Sequence, residues 1–419
     1  MPASVRRDLA LIILGGLVLR LLFIANPGHL VDLRTFGEWA LAAADNPWNR
    51  AYEVTNANYP PGALLVFEVI GRAYRALGLF DPVSLRIALK VPNVVFDCIG
   101  AGVLYGIAAR FVDARSALLA PALYAFNPAI VYDSALWGQN DAITTVTTLA
   151  AVWCLLARRP VSGWIMLALA VLNKPPVIVL APLFVVHAFV TASGAPRRAL
   201  LRTGIGILAA LVCGYLLALP FYTERSPVAV YARMISWYEI GSSLYPFTSA
   251  NGFNIYAFGG DFFAPDTQGV LFVPLKYWAD AAFLVLAGLI AWGYARARDD
   301  RTFVAGCFLT LLAFFLVLTE MHERYLVYAL TVAPALAPLD RRYLWTTIAL
   351  TITQWLNLEY SLTYMWIESD QPVGVDPHEF APVLAQLCAF TNIAVFVWAM
   401  QRLLQPAAEA YTGTPPRKP

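Results

Sequence analysis

Lysine and histidine are scarce in this chain. Lys90, Lys174, Lys276 and Lys418 are the only lysines in 419 residues, and there are four histidines. Charged residues of all kinds make up 13%, with a net charge of +2. That balance excludes the basic surface a nucleic-acid partner requires. The five cysteines, Cys98, Cys154, Cys213, Cys307 and Cys388, are scattered through apolar stretches without C-x-x-C spacing. They read as small core residues, so neither a disulfide nor a metal site is expected. With so few lysines, each buried one becomes a candidate for a specific role.

What fills the chain is apolar. Hydrophobic residues account for 59% and the mean hydropathy is +0.62, and several stretches approach the roughly 20 residues that cross a bilayer. The expectation is an all-α polytopic membrane protein. About twelve transmembrane helices can be drawn, at 8–26, 84–111, 115–132, 139–158, 161–173, 175–191, 200–221, 276–295, 302–319, 323–338, 342–362 and 383–404. Segment 8–26 lacks a small-residue cleavage pattern and is read as a retained first span. Segment 60–79 is also apolar, but Glu68, Arg72 and Arg75 fall at i, i+4 and i+7. That spacing puts three charges on one helical face and predicts a helix lying in the interface.

Arginine supports this count, because short cytoplasmic loops collect positive charge. With 60–79 interfacial, Arg6 and Arg7, Arg110 and Arg115, Arg158 and Arg159, Arg197, Arg198 and Arg202, Arg296, Arg298 and Arg301, and Arg341 and Arg342 all fall inside, as do Arg402, Arg417 and Lys418. Both termini are then cytoplasmic. The organisation expected is a transmembrane module 1–221 with a first outer loop 27–79, a long outer loop 222–275 and a C-terminal transmembrane module 276–419.

In this topology the polar motifs collect on the extracytoplasmic face. The first outer loop carries His29-Leu30-Val31-Asp32, and Asp32 reads either as a helix N-cap or as a general base taking a proton from an attacking hydroxyl. Tyr59-Pro60-Pro61-Gly62 is a rigid turn or a means of fixing Tyr59 beneath the loop. Asp133, Trp137, Gln139, Asn140 and Asp141 lie within nine residues; they either cap adjacent spans or bind substrate, with Trp137 as a sugar platform. Lys174, in Asn173-Lys174-Pro175-Pro176, either snorkels to the headgroups or neutralises a phosphate. Glu320, His322, Glu323 and Arg324 are flanked closely by apolar sequence, so they must pair or face a polar cavity, and Arg324 suits phosphate oxygens. His-Glu-Arg lacks the H-E-x-x-H spacing of a zinc site. Lys90 and Asp97, seven apart, read as a buried structural pair or a helix–helix tie. In 222–275 the aromatics Trp237, Tyr238 and Tyr245 are expected mainly to pack, with Asn251 and Asn254 as weaker site candidates. A further polar segment is 363–382.

Taken in order, Asp32, Tyr59-Pro60-Pro61, Lys90 with Asp97, Asp133 with Gly138-Gln139-Asn140-Asp141, Lys174 and His322-Glu323-Arg324 resemble the GT-C glycosyltransferases over most of residues 1–340. The resemblance runs to the glucosyltransferases that extend dolichol-linked oligosaccharide and to prokaryotic mannosyl- and glucosyltransferase relatives. Family members show Asp-x-x-His-Phe-Gln-Tyr-Asn where this chain has Trp137-Gly138-Gln139 before Asn140, and His-Glu-Lys where it has His-Glu-Arg.

The resemblance implies a GT-C fold and an inverting transfer of mannose or glucose from a polyprenyl-phosphate donor to a glycan or glycolipid acceptor. Asp32, or alternatively Asp141, would be the catalytic base. Lys174, His322 and Arg324 would hold the donor phosphate, and Tyr59, Asp133, Trp137, Gln139, Asn140, Glu320 and Glu323 the substrates. No cofactor or metal is implied, and a monomer is expected. The rival reading is a transporter or flippase for a lipid-linked sugar, with Asp97, Lys174 and Glu320 along the path; no internal repeat of the transporter kind is evident.

Overall fold

The computed structural model describes residues 1–192, 194–242, 244–259, 263–365 and 377–405. Residues 366–376 of the polar segment 363–382, and Arg417 and Lys418, lie outside them, as does the side chain of Trp237. The fold is almost entirely helical. Among the described residues, five helices are long and apolar enough to cross a membrane: Pro82–Ala108, Pro196–Phe221, Leu275–Ala297, Asp300–Val317 and Pro382–Leu404. Shorter apolar helices run over Ser116–Ala125, Asp141–Leu156, Pro160–Asn173 and Pro175–Thr191.

Helix Asp300–Val317 is at the centre. It is apolar on every side, as a helix buried all round must be, and Phe303, Phe308 and Phe315 are wholly enclosed. Its start is fixed by Asp299, whose carboxylate accepts from the backbone of Arg301 and Thr302 at 2.9 and 3.0 Å and satisfies donors that a helix leaves open. Asp81 does the same for Pro82–Ala108 through Ser84 N at 2.8 Å, with Pro82 in the first turn.

Several expected spans are interrupted, and each break has a local cause. Segment 115–132 divides at Asn127, whose side chain caps the short helix Pro128–Val131. Segment 175–191 begins as a 3₁₀ turn over Pro175–Leu180 before Ala181–Thr191. Segment 323–338 is not one helix: Val327–Val332 passes into a 3₁₀ turn over Ala333–Ala335, at Pro334. Proline removes a donor and clashes with the preceding turn, so helices of this kind stay short.

Segment 60–79 forms the helix Pro61–Ala76, whose 16 residues fall short of a bilayer's thickness. It packs on helix Leu30–Ala44 through Phe36, Trp39, Leu64 and Phe67. The charge stripe is divided: Glu68 turns into the protein, while Arg72 and Arg75 each keep 37% of the side chain open. Glu68 is completely buried and paired with Arg72 at 2.6 Å, Arg72 also donates to Asn46 O at 2.8 Å, and Arg75 pairs with Asp45 at 2.7 Å.

Lys90 and Asp97 do not pair with each other. Asp97 accepts from Arg20 at 2.7 Å, from Tyr124 at 2.6 Å and from Ser134 at 2.6 Å, all buried. Lys90 donates to the carbonyls of Asn26 and Leu136, each at 2.8 Å. Both residues are ties, and Lys90 draws the chain just past helix Ala3–Phe23 against the turn at 132–138.

Candidate active site

That junction carries Asp32. Helix Leu30–Ala44 starts there, and Asp32 is in its first turn; the cap is His29, whose Nδ1 lies 3.1 Å from Asp32 N. The capping role considered for Asp32 therefore belongs to His29. Opposite it, residues Tyr132–Trp137 form a π-helical turn that ends at Gly138 with φ of 93°, a left-handed conformation that glycine tolerates at no steric cost. A Cβ on Gly138 would lie 2.8 Å from Leu33 Cδ2 and 2.9 Å from Lys90 Cε. Gly28, at φ of 70°, sits directly under the Leu136 and Trp137 carbonyls, and His29 N donates to Trp137 O at 3.1 Å.

The turn aims two donors at one carboxylate oxygen. Trp137 Nε1 donates to Asp32 Oδ2 at 2.8 Å, and Gln139 Nε2 donates to the same oxygen. His29 Nδ1 is 3.2 Å from it, with the ring stacked flat on Trp137 at 4.7 Å and 4°. One ring nitrogen serves one partner at a time, accepting from Asp32 N–H when bare and donating to Oδ2 when protonated. Burial raises the Asp32 carboxyl, but the hydrogen bond and charge of His29, then the charge of Arg324 and the Trp137 N–H, outweigh it and leave the group well below the usual range. Its side chain keeps 24% of its surface open. Oδ1 makes no hydrogen bond to the described residues.

A second, drier cluster adjoins it. Asp141, at 0% exposure, is 2.8 Å from Lys174 Nζ, accepts from Tyr328 at 2.7 Å and lies 3.8 Å from Arg324 Nε. Lys174 also donates to Gln139 Oε1 at 2.9 Å, so Gln139 links the lysine to Asp32 through the two ends of one amide. Arg324 pairs with Glu323 at 2.6 Å. Lys174 is 4% exposed and does not snorkel. Its Nζ lies 5.6 Å from the centre of the Tyr59 ring, at cation–π distance. His322 is brought in by a two-residue parallel pairing of Ser249–Ala250 with Met321–His322, and Tyr245 stacks edge-on against it at 4.6 Å. Burial and the charge of Arg324 push the His322 imidazole well below its usual range, so it is neutral near pH 7.

Not every expected residue reaches this place in the expected way. Trp137 is 1% exposed and offers no open face to a sugar ring; its indole holds Asp32. Asn140 makes no side-chain cap and instead meets Asn173, whose Nδ2 donates to Asn140 O at 3.1 Å. Asp133 is buried, its backbone carbonyl closes the π turn by accepting from Gly138 and Gln139, and burial together with Asp141 raises its carboxyl well above the usual range. Glu320 faces a separate group, Asp266 and Lys276. Asn254 Nδ2 donates to Phe315 O, and Asn251 is held through its own backbone carbonyl, which accepts from Asn357 Nδ2. His29, Tyr328 and Lys90 were not singled out as site residues from sequence; the scarcity of lysine was the only signal for Lys90. Among the described residues no group of three His, Cys, Asp or Glu side chains is placed to hold a metal ion.

Residues 79–222 match the family described as Dolichyl-phosphate-mannose-protein mannosyltransferase. This stretch is similar to that family. It covers about a third of the chain and includes Asp97, Asp133, Trp137, Gln139, Asp141 and Lys174, but neither Asp32 nor Arg324. No curated protein matches the sequence. Similar solved structures include the Archaeoglobus fulgidus oligosaccharyltransferase AglB with an inhibitory peptide and a dolichol-phosphate, at TM-score 0.46 and 14% identity over 96% of this chain. The oligosaccharyltransferase of the same organism tethered with an acceptor peptide gives TM-score 0.48 and 14% identity over 99% of this chain, and its apo form 0.43 and 14% over 98%. The chain spans 56% of the length of each of these three.

Proposed function

We propose that this protein is a GT-C glycosyltransferase that moves a hexose from a polyprenyl-phosphate donor to an acceptor hydroxyl on the extracytoplasmic face, with inversion and with Asp32 as the general base. One observation carries the proposal: Oδ2 of Asp32 is held by fixed donors, while Oδ1 has no partner among the described residues and the side chain keeps an opening. The acceptor O–H gives its proton to Oδ1 as its oxygen bonds to the anomeric carbon. The bond from that carbon to the phosphate oxygen breaks, and the electron pair leaves with polyprenyl phosphate.

Asp141 suits the base less well, because it is completely buried: Lys174 and Tyr328 hold Oδ1, and Oδ2, without a hydrogen-bond partner among the described residues, faces only Arg324 Nε at 3.8 Å. Lys174 and Arg324 supply positive potential for the developing phosphate charge in a dry setting, where it acts most strongly. His322, neutral, can donate one hydrogen bond there. Tyr59 and Tyr245, both partly exposed and both near Asp32, suit contact with sugar faces. The translocation reading needs charges that can engage a passing substrate, whereas Asp97 is fully occupied by Arg20, Tyr124 and Ser134.

Purified enzyme in lipid, given radiolabelled hexose on a short-chain polyprenyl phosphate with membrane glycolipid as acceptor, should form labelled product. Mannose and glucose donors tested side by side identify the sugar. Counterflow of labelled lipid without transfer to an acceptor would overturn the proposal in favour of a flippase.

A further inference from the structure

The long outer segment ends in a small hairpin whose exposed tip is apolar. Gly269–Val270 and Val273–Pro274 pair antiparallel, with Val270 opposite Val273, and a two-residue turn of Leu271 and Phe272 joins them. Both turn residues have positive φ, 50° and 66°. Such turns normally take Asn or Gly, because larger side chains are strained there. This chain instead sets two large apolar residues at the tip and leaves them bare: Leu271 is 76% exposed and Phe272 fully so. Val270 and Val273 are also exposed.

What lies beside the hairpin identifies its partner. Leu275–Ala297, which starts at the next residue, is one of the five helices able to cross a membrane. Trp278, in its first turn, donates from Nε1 to Val270 O at 3.0 Å and so ties the hairpin to the end of that helix. Tyr277 and Trp278 are both exposed there, as interfacial aromatics are, while Trp292 and Arg296 stack at the other end at 4.9 Å. Between them Val285 and Leu289 continue an exposed apolar stripe at helical spacing. The hairpin tip extends this lipid-facing surface past the start of the helix.

We infer that the Leu271–Phe272 hairpin is a membrane anchor that seats in the interfacial region of the bilayer beside helix Leu275–Ala297. The anchor has a structural use. Hydrogen bonds from Asp266 N to Pro246 O, from Thr248 N to Ala264 O, and from Lys276 N to Asp266 O join the hairpin's base to the segment that pairs with His322. A hairpin held at the membrane surface therefore fixes the height of Tyr245 and His322 relative to the lipid.

The test uses the full-length protein in phosphatidylcholine bilayers, with nitroxide labels on Phe272→Cys, on Leu271→Cys and, as a reference, on Gln268→Cys, which is exposed at the hairpin's base. Wild-type protein measures background labelling of the native cysteines. At 271 and 272, collisions with oxygen should exceed those with a water-soluble nickel chelate by about threefold or more relative to position 268, as expected for a depth of about 5–10 Å. Free access of the chelate to 271 and 272 would place the tip in water and overturn the inference. Labels shielded from both reagents would show that protein covers the tip, which would overturn it equally. Retained monodispersity of each variant on size exclusion excludes misfolding as the cause. None of these readouts depends on the proposed glycosyl transfer.

Discussion

Replacing Asp32 by Asn keeps the shape of the side chain and removes only its charge and its capacity to take a proton. Trp137 and Gln139 still find an oxygen acceptor, and weakening two charge-assisted bonds to neutral ones costs about 1 kcal/mol each, partly offset by easier burial of a neutral amide. Folding should therefore change by no more than about 2 kcal/mol. Chemistry should suffer far more: a positioned base contributes about 10²- to 10⁴-fold, or roughly 3–5 kcal/mol of activation energy. The electrostatics add a second signature. Around the site the carboxylates Asp32, Asp141 and Glu323 face the cations Lys174 and Arg324, so removing one negative charge should leave binding of an anionic donor unchanged or tighter.

The assay is initial-rate transfer of labelled hexose in lipid nanodiscs with donor titrated, alongside thermal unfolding of the same preparation. The expected result is a collapse of kcat without a rise in donor KM. An Asp32→Asn enzyme within about tenfold of wild type would refute Asp32 as base, as would a loss matched by a comparable loss of folded protein. Asp32→Glu should also fail, because even about 1 Å of misplacement can cost about 10²-fold.

Lys174→Met should destabilise the protein by about 3–5 kcal/mol, because it leaves Asp141 buried without its nearest cation; adding Asp141→Leu should restore much of the unfolding temperature but no activity, and additive losses in the double variant would contradict the pairing. His29→Phe keeps a ring against Trp137 but removes Nδ1; it should cost about 1 kcal/mol in the cap and lower kcat, while an unchanged rate would show that His29 does not hold Asp32. Glu320 is raised to about 7 by burial and by Asp266. A folded-state value above the unfolded one gives stability that is complete below the unfolded value and is lost as pH rises through about 7. Glu320→Gln should thus match wild type at low pH and exceed it in unfolding temperature above pH 7, by the equivalent of about 1 kcal/mol after screening by solvent. A gain that is the same at all pH values would count against this.

Much of this was legible in the sequence because charge is expensive in an apolar chain. Asp32, Asp141, Lys174 and Arg324 stand out from composition alone, and all four come within one connected cluster. Which of them pair was not legible. Sequence spacing set Lys90 against Asp97, whereas the true partner of Asp97 is Arg20, and Lys90 serves two backbone carbonyls. Only tertiary packing decides that. The sequence offers Trp137 as part of a capping segment or as a sugar platform, because a π turn leaves no periodic trace; the turn over Tyr132–Trp137 sets the indole on Asp32. The broken helices at Asn127 and Pro334 follow rules that proline announces, yet overall hydropathy conceals them.

The salt bridge between Asp141 and Lys174 also bears on how the protein is assembled. Asp141 opens the helix Asp141–Leu156, and Lys174 follows the helix Pro160–Asn173, so the two charges sit at the same end of one helical hairpin. During synthesis the pair emerges together, and the hairpin can enter the bilayer already neutralised, without the penalty that a lone charge incurs. Arg20 has no such companion, for Asp97 follows 77 residues later. The helix Ala3–Phe23 therefore meets its counter-ion only once Pro82–Ala108 has been made, so its charge is neutralised later than its own synthesis.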